Sequence, residues 1–183
     1  MECAISPEHV VGLVVGEGCF YVESAPDPKY RLGWRLRPAF CIEMRLDERP
    51  ALEGVRELIG CGRIYELDFG RYRGYEKKNW VPHAKYRVGS IKDLERFVVP
   101  FFEVHPLFGR KAVAFEHFSS MVAMLASGAH RSPEGLGRGK VLAAKLANHN
   151  KRGRGGEGLG RGQDDAAETP EGDEAQGHDR DDQ

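Results

Sequence analysis

A carboxylate that follows two closely spaced glycines is the feature of this sequence most suggestive of chemistry. Gly12 and Gly16 lie four residues apart in an apolar run, and Glu17 comes directly after them. Each glycine costs about 1 kcal/mol relative to alanine in a helix interior, so the pair indicates that a second backbone approaches this face. A carboxylate at the C-terminal end of a helix gains nothing from the helix dipole. This favours a role for Glu17 as a cation ligand over a role in capping.

Two other glycine-rich motifs do not fit this segment. A phosphate-binding loop would need G-K-S or G-K-T, and a dinucleotide fingerprint would need G-x-G-x-x-G after a strand. Here the glycines precede the predicted strand, which begins at Cys19. A simple helix-to-strand turn without any chemistry stays open as an alternative.

A row of arginines is the second candidate feature. The segment from Tyr30 to Arg45 is predicted as one strand, because its even positions are apolar and its odd positions are mostly polar or basic. One face of that strand would pack on a core and the other would carry the arginines, with Pro38 marking a bulge or an edge. A solvated strand face explains any single arginine, whereas a row favours an anionic partner. The basic members of the row are Arg31, Arg35, Arg37 and Arg45.

The remaining pattern predicts one antiparallel sheet backed by helices, an α+β fold with the order αββαββα and an extra C-terminal helix. The helix start and stop signals and the strands lie at these positions: Ser6 capping a helix to Gly16, a strand Cys19–Glu23, Asp47 capping a helix that stops at Gly60, strands Gly62–Leu67 and Ala84–Val88, Ser90 with Asp93 as a capping box, a helix Gly109–Ala126, and a helix from Ser132 to Asn148.

The net charge of -1 hides a strong asymmetry between body and tail. Residues 1–154 carry a net +7, and residues 155–183 carry a net -8. The tail is rich in Gly, Asp and Glu and poor in large apolar residues, so it is predicted to be disordered. We therefore divide the chain into a domain at 1–150 and an acidic, Gly-rich tail at 151–183. The tail is either a solvated solubility segment or an intramolecular competitor with the anionic partner for the basic surface.

The four cysteines contain no C-x-x-C pair, and the seven histidines show no ligand spacing. The sequence therefore predicts no zinc site and no disulfide framework. The N-terminus does not resemble a signal peptide, and the apolar runs are too short to span a bilayer. A reducing cytosol is the expected environment.

The stretch from Val10 to Gly18, followed by Phe20, resembles the LAGLIDADG motif of homing endonucleases in its G-x-x-x-G-E-G-x-F form. Later segments resemble the single-motif members of that family, in the same order. They are Leu58–Ile64, Tyr86–Val88, Val99–Phe102, Pro106-Leu107, Arg110-Lys111 and Phe115. The resemblance covers roughly residues 9–125.

The resemblance implies a site-specific, double-strand DNA endonuclease that acts as a homodimer on a long pseudo-palindromic target. Motif helices would pack through Gly12, Leu13 and Gly16 at a two-fold axis. Glu17 of each subunit, with the Gly16 carbonyl, would hold Mg²⁺ (or Mn²⁺) at the scissile phosphates and so activate water. Lys111 would stabilise the transition state, although a surface lysine at a helix start is an open alternative.

The resemblance also implies that the sheet lies in the major groove of duplex DNA. The family's polar residue late in the second strand falls near Glu43 and Met44; methionine could not orient water, and Glu43 or Arg45 could do so only after a small register change. The implied DNA contacts are Arg31, Arg35, Arg37, Cys41, Arg63, Tyr65, Lys85 and Arg87.

Two other functions compete with this expectation. A protein of the same fold could bind without cutting, either as a maturase that prefers intron RNA or as a regulator. A protein-interaction domain is the third class, but it would not need the arginine row. Arginine outnumbers lysine 18 to 9, which favours a bacterial cytoplasm, with an organelle as the alternative. The target sequence, and whether the reading frame lies in an intron, lies in an intein or stands free, do not follow from these residues.

Overall fold

A computed structural model describes residues 5–67 and 81–152 of the chain. A 3₁₀ turn at Leu46–Glu48 precedes α2, a π-helical turn at Leu94–Val98 joins α3 to α4, and a 3₁₀ turn at Ala129–Arg131 precedes α6. The predicted order and the α+β class are confirmed. The elements are α1 Pro7–Gly16, β1 Gly18–Pro26, β2 Trp34–Arg45, α2 Arg49–Ile59, β3 Arg63–Leu67, β4 His83–Val88, α3 Ile91–Asp93, α4 Val99–Val104, α5 Gly109–Ala126 and α6 Pro133–Arg152.

The four strands form one sheet in the order β1-β2-β4-β3, and all neighbours are antiparallel. The register is unbroken, so that Cys41 lies opposite Cys19 on one side and opposite Arg87 on the other. Arg87 in turn lies opposite Arg63. Because odd positions always face odd positions, the alternation predicted for β2 extends over all four strands.

The core lies on one face of this sheet only. Every strand residue in the main core cluster has an even number, and we call that side the core face. Phe20 is its centre, with the rings of Phe40, Phe102 and Phe118 at centroid distances of 5.0, 5.7 and 5.0 Å. The odd-numbered strand residues form the opposite side, which we call the open face.

Several local signals hold as predicted. The Ser6 hydroxyl accepts the backbone N–H of His9 at 3.4 Å, and Pro7 is the first helical residue of α1. Gly60 ends α2 in the left-handed conformation, with a φ of 87°. The predicted bounds of α5 coincide with the observed ones.

Two predictions about β2 and α2 are wrong. β2 begins at Trp34 rather than Tyr30, because Gly33 adopts a φ of 66° and its N–H donates to the Tyr30 carbonyl at 2.7 Å, which closes a turn. Asp47 does not cap α2. Its carboxylate binds the Arg45 guanidinium at 2.8 Å instead, and α2 begins two residues later.

Pro38 causes no bulge, because its pairing with Val22 is continuous with the neighbouring pairs. Pro38 instead marks an edge, since β2 pairs with β4 only from Phe40 onward and this side of β2 is unpaired at Pro38. α6 continues to Arg152, so the expected boundary at residue 150 falls inside a helix. Residues 153–183 of the expected tail lie outside the described residues. Within the described part of the chain, no helix is both long and apolar enough to cross a membrane.

Candidate metal site and nucleic-acid interface

The glycine pair of α1 lies on an open surface. α1 buries Val10 and Val14, while Gly12 and Gly16 are exposed. A Cβ atom built at either glycine would meet no atom within 4 Å. Since neither glycine serves a close contact inside the described chain, the space they leave is available to a second backbone from outside. Leu13 is half-buried against the subunit's own core.

An apolar hollow lies directly beside this glycine face. Val11, Gly12 and Pro106 are among the residues that line it. Val104 and Phe108 also line it, and they are 72% and 61% exposed. Large apolar side chains that remain this exposed next to an empty backbone surface are characteristic of an interaction site.

Glu17 stands at the exposed C-terminal end of α1, where its backbone N–H donates to the Leu13 carbonyl at 2.7 Å. Lys111, at the start of α5, donates from Nζ to the carbonyl of Gly18. The structure therefore brings the two predicted catalytic residues to one junction, although they are far apart in sequence.

Gly18 is a site residue that the sequence analysis did not single out. A Cβ atom at this position would lie 2.7 Å from the Cα atom of Val14, which is backbone and cannot simply rotate away. Glycine is therefore required for the strand to leave the helix at this angle. The sequence feature that could have identified Gly18 is a glycine directly after the candidate metal ligand, at a helix-to-strand junction.

The N-terminus of α5 is held in place by the end of α6. Arg110 donates from Nη2 to the His149 carbonyl at 3.0 Å, and Asn150 donates from Nδ2 to the Phe20 carbonyl of β1 at 2.9 Å. These contacts fix the helix that carries Lys111 against the strand that follows Glu17. Sequence patterns could not reveal them, because they join residues of distant segments.

The open face of the sheet gathers the basic residues that were predicted to contact DNA, with one exception. Arg31 lies in the turn before β2, and its guanidinium donates to the Arg131 carbonyl, so its predicted place in the strand row is wrong. Cys41 is on the open face but is only 6% exposed; a hydrogen bond with Cys19 and burial raise the pKa of its thiol. The members that share this face are Arg35, Arg37, Cys41, Arg63, Tyr65, Lys85 and Arg87.

Two of the ion pairs on the open face are long. Lys85 lies 3.5 Å from Glu43, and Arg35 lies 3.5 Å from Asp27 in the turn. Pairs of this kind contribute only about 0–1 kcal/mol, so phosphate or base atoms can replace the carboxylates at low cost.

The late part of β2 keeps its regular register. Met44 packs against the core, Glu43 pairs with Lys85, and Arg45 is bound to Asp47. The register change that would have let Glu43 or Arg45 take the place of the family's polar residue is absent from the pairing of β2.

Within the described ranges, no group of three or more His, Cys, Asp or Glu side chains could hold a metal ion. Among these residues, Glu17 and nearby backbone carbonyls are the oxygen donors at the end of α1, and they form no complete cage. Among the described residues, Cys19, Cys41 and Cys61 form no disulfide.

A family model described as LAGLIDADG endonuclease matches residues 10–122, which is more than half of the chain. This chain belongs to the LAGLIDADG endonuclease family. Its fold is also that of solved homing endonucleases. It resembles the crystal structure of the homing endonuclease I-TnaI with 29% identity and a TM-score of 0.64, over 81% of this chain and 97% of that one.

A second LAGLIDADG homing endonuclease, I-LtrWI, was solved bound to target DNA. It is 27% identical with a TM-score of 0.68, over 79% of this chain and 45% of that chain. A probable intron-encoded endonuclease 2 of Neurospora crassa is 24% identical over 132 residues, covering 72% of this chain and 27% of its own length. The chain spans about a quarter of the length of the first curated relatives it matches. These relatives are fungal, so they lend no support to the bacterial cytoplasm that was expected.

Proposed function

We propose that this LAGLIDADG protein is a site-specific endonuclease that hydrolyses both strands of duplex DNA with a divalent metal ion. One observation carries the proposal: an exposed carboxylate, Glu17, ends a helix whose glycine face is empty, and Lys111 is held beside it. β1 leaves this junction at Gly18 and pairs with β2, whose open face carries Arg35 and Arg37, so the proposed chemistry adjoins the sheet that would bind DNA.

Glu17 and the Gly16 carbonyl fit a magnesium ion, because both supply hard oxygen donors. Magnesium in nucleotide-processing sites is commonly held by one or two carboxylates together with phosphate oxygens and water, so an incomplete protein cage is what such a site needs. When bound, the ion would lower the pKa of a water molecule and offset charge on the phosphate. Glu17 would hold it, and Lys111 would fix the junction and place a positive charge near the reacting phosphate.

A second copy of the chain is the proposed partner of α1. No described residue lies near the Cβ positions of Gly12 and Gly16, which supports close packing of two such helices, with Leu13 at the margin. Val104 and Phe108 would extend the contact, because they form an apolar rim beside Gly12. The two-fold axis would bring two Glu17 side chains together, one for each strand. The match to less than half of the I-LtrWI chain is consistent with a doubled unit.

The test is to recover duplex DNA from a randomised pool in Ca²⁺, replace Ca²⁺ with Mg²⁺, and sequence any cut ends. Wild type should make staggered cuts at one long, roughly two-fold site. Glu17→Gln should bind the same DNA without cutting it. Glu57→Gln, the same change on the exposed surface of α2, should cut like wild type. If the wild type binds no duplex DNA, the proposal is refuted.

A binding-only protein of the same fold is the second candidate, because Met44 occupies the place of a polar residue and packs on the core. It predicts site-specific binding with no cuts in either protein, and structured intron RNA would then be the next ligand to test. The intron origin named for the Neurospora relative favours an intron-borne reading frame that acts in the compartment of its host gene.

A further inference from the structure

Arg87 takes an unusual path across the open face. It starts on β4, directly opposite Cys41 of β2, and its Nε donates to the Tyr21 hydroxyl on β1 at 3.1 Å. The Arg87 and Tyr21 side chains therefore meet over β2, which lies between their two strands. Cys41 and its neighbour Ala39 are small, and they are 6% and 0% exposed although neither belongs to a core cluster. Tyr21 lies opposite Ala39, and Arg87 lies opposite Cys41, so this pair of side chains borders both small residues.

Gly89 supports the same guanidinium from the other side. A Cβ atom at Gly89 would lie 3.3 Å from Nη1 of Arg87 and 3.4 Å from its Nη2 and Cζ. The guanidinium thus rests against the Gly89 backbone while its Nε is bound to Tyr21. The position is set by two contacts from two different segments, which restricts the side chain before any ligand arrives.

Among the described residues, the terminal edge of the guanidinium donates no hydrogen bond. Nη2 lies 4.0 Å from the Glu23 carboxylate, which is too far for a hydrogen bond but close enough to attract the charge. The Arg87 side chain is 25% exposed. Two parallel terminal N–H groups match the O6 and N7 acceptors that guanine presents in the major groove.

We infer that Arg87 is a specificity-determining residue that reads one guanine, and that Tyr21 and Gly89 are the positioning residues that aim it. The inference rests on the proposed function, since it requires the open face to lie in the major groove. Fixing an arginine in its bound geometry removes part of the ordering cost that a free surface side chain would incur on binding. Arg37 also contacts a tyrosine hydroxyl, Tyr30 at 3.3 Å, but both of those side chains are exposed and lie near the turn.

The experiment uses the full chain and the randomised duplex pool in Ca²⁺, and it compares base-preference profiles. Arg87→Ala should lower the preference for guanine at one base pair of each half-site by about 5- to 150-fold, the range of a bidentate arginine contact. Tyr21→Phe keeps the ring and removes only the hydroxyl, so it should lower the preference at that same base pair by roughly 2- to 10-fold. Gly89→Ala displaces the guanidinium and should act at that base pair too.

Tyr86→Phe is the matched control. It removes a hydroxyl from the core face, where the group donates to the Cys61 carbonyl at 2.9 Å, so it should lower thermal stability and leave the profile unchanged. Three variants that converge on one base pair support the inference. If wild type selects a site and Tyr21→Phe leaves its profile unchanged, the inference fails and the proposed function stands. If wild type selects no duplex site, both fail.

Discussion

Replacing Gly12 with alanine should raise the stability of the isolated subunit and weaken its association into the proposed dimer. Gly12 lies inside α1, is exposed, and has no atom within 4 Å of its would-be Cβ position. Alanine is favoured over glycine in a helix interior by about 1 kcal/mol, so the isolated subunit should become more stable and melt about 2–4 °C higher.

The same methyl group should weaken the proposed dimer. If two α1 helices pack through their glycines, the two-fold axis introduces two methyl groups into one contact. Each overpacked group costs about 1–3 kcal/mol, so the dissociation constant should rise at least about 30-fold. Cleavage of both strands should fall with the dimer population.

Gly137→Ala provides the control, because Gly137 is also exposed, helical and without neighbours within 4 Å, but it lies in α6. It should raise stability equally and leave association unchanged. Sedimentation equilibrium measures the dissociation constant of the dimer. Thermal melting at a protein concentration well below that constant measures the stability of the isolated subunit. A Gly12→Ala protein that dimerises and cuts like wild type would refute the assignment of α1 as the interface.

Three further substitutions and one pH titration test other parts of the molecule. Gly18→Ala should lower the free energy of unfolding by about 1–3 kcal/mol, because its Cβ would lie 2.7 Å from the Val14 Cα atom; an unchanged urea midpoint would contradict this. Lys111→Met should slow cleavage about 100-fold while DNA binding in Ca²⁺ changes less, and single-turnover rates measure the difference. Phe108→Ser should weaken the dimer and shift subunit stability by no more than about 0.5 kcal/mol, as seen by sedimentation and thermal melting. Burial raises the pKa of Cys61 to about 11 from an ordinary 9.0, so the thiol's contribution to stability is complete below pH 9 and is lost between 9 and 11; urea midpoints should fall more over that window than in Cys61→Ala.

The sequence by itself determined the features that depend on neighbours along the chain. Ser6 and Gly60 mark helix ends because capping and left-handed backbone are local properties, and they were predicted correctly. The alternation in β2 likewise identified its two faces, because side chains of a strand point to opposite sides in turn. The family motif located Glu17 for the same reason: all its parts lie within one helix and the turn after it.

The tertiary structure alone decided which distant residues meet. Lys111 reaches the Gly18 carbonyl and Arg87 reaches Tyr21 because of strand order and helix packing, and neither contact has a local pattern. Capping patterns also gave a wrong prediction where another side chain competed for the capping residue: the Asp47 carboxylate binds Arg45 instead of capping α2. Glycine spacing predicted that a backbone approaches α1, but only the packed chain shows that no described residue of the subunit fills this space. Local free energies fix where elements begin and end, whereas the contacts that position a side chain on the open face depend on the whole packed sheet.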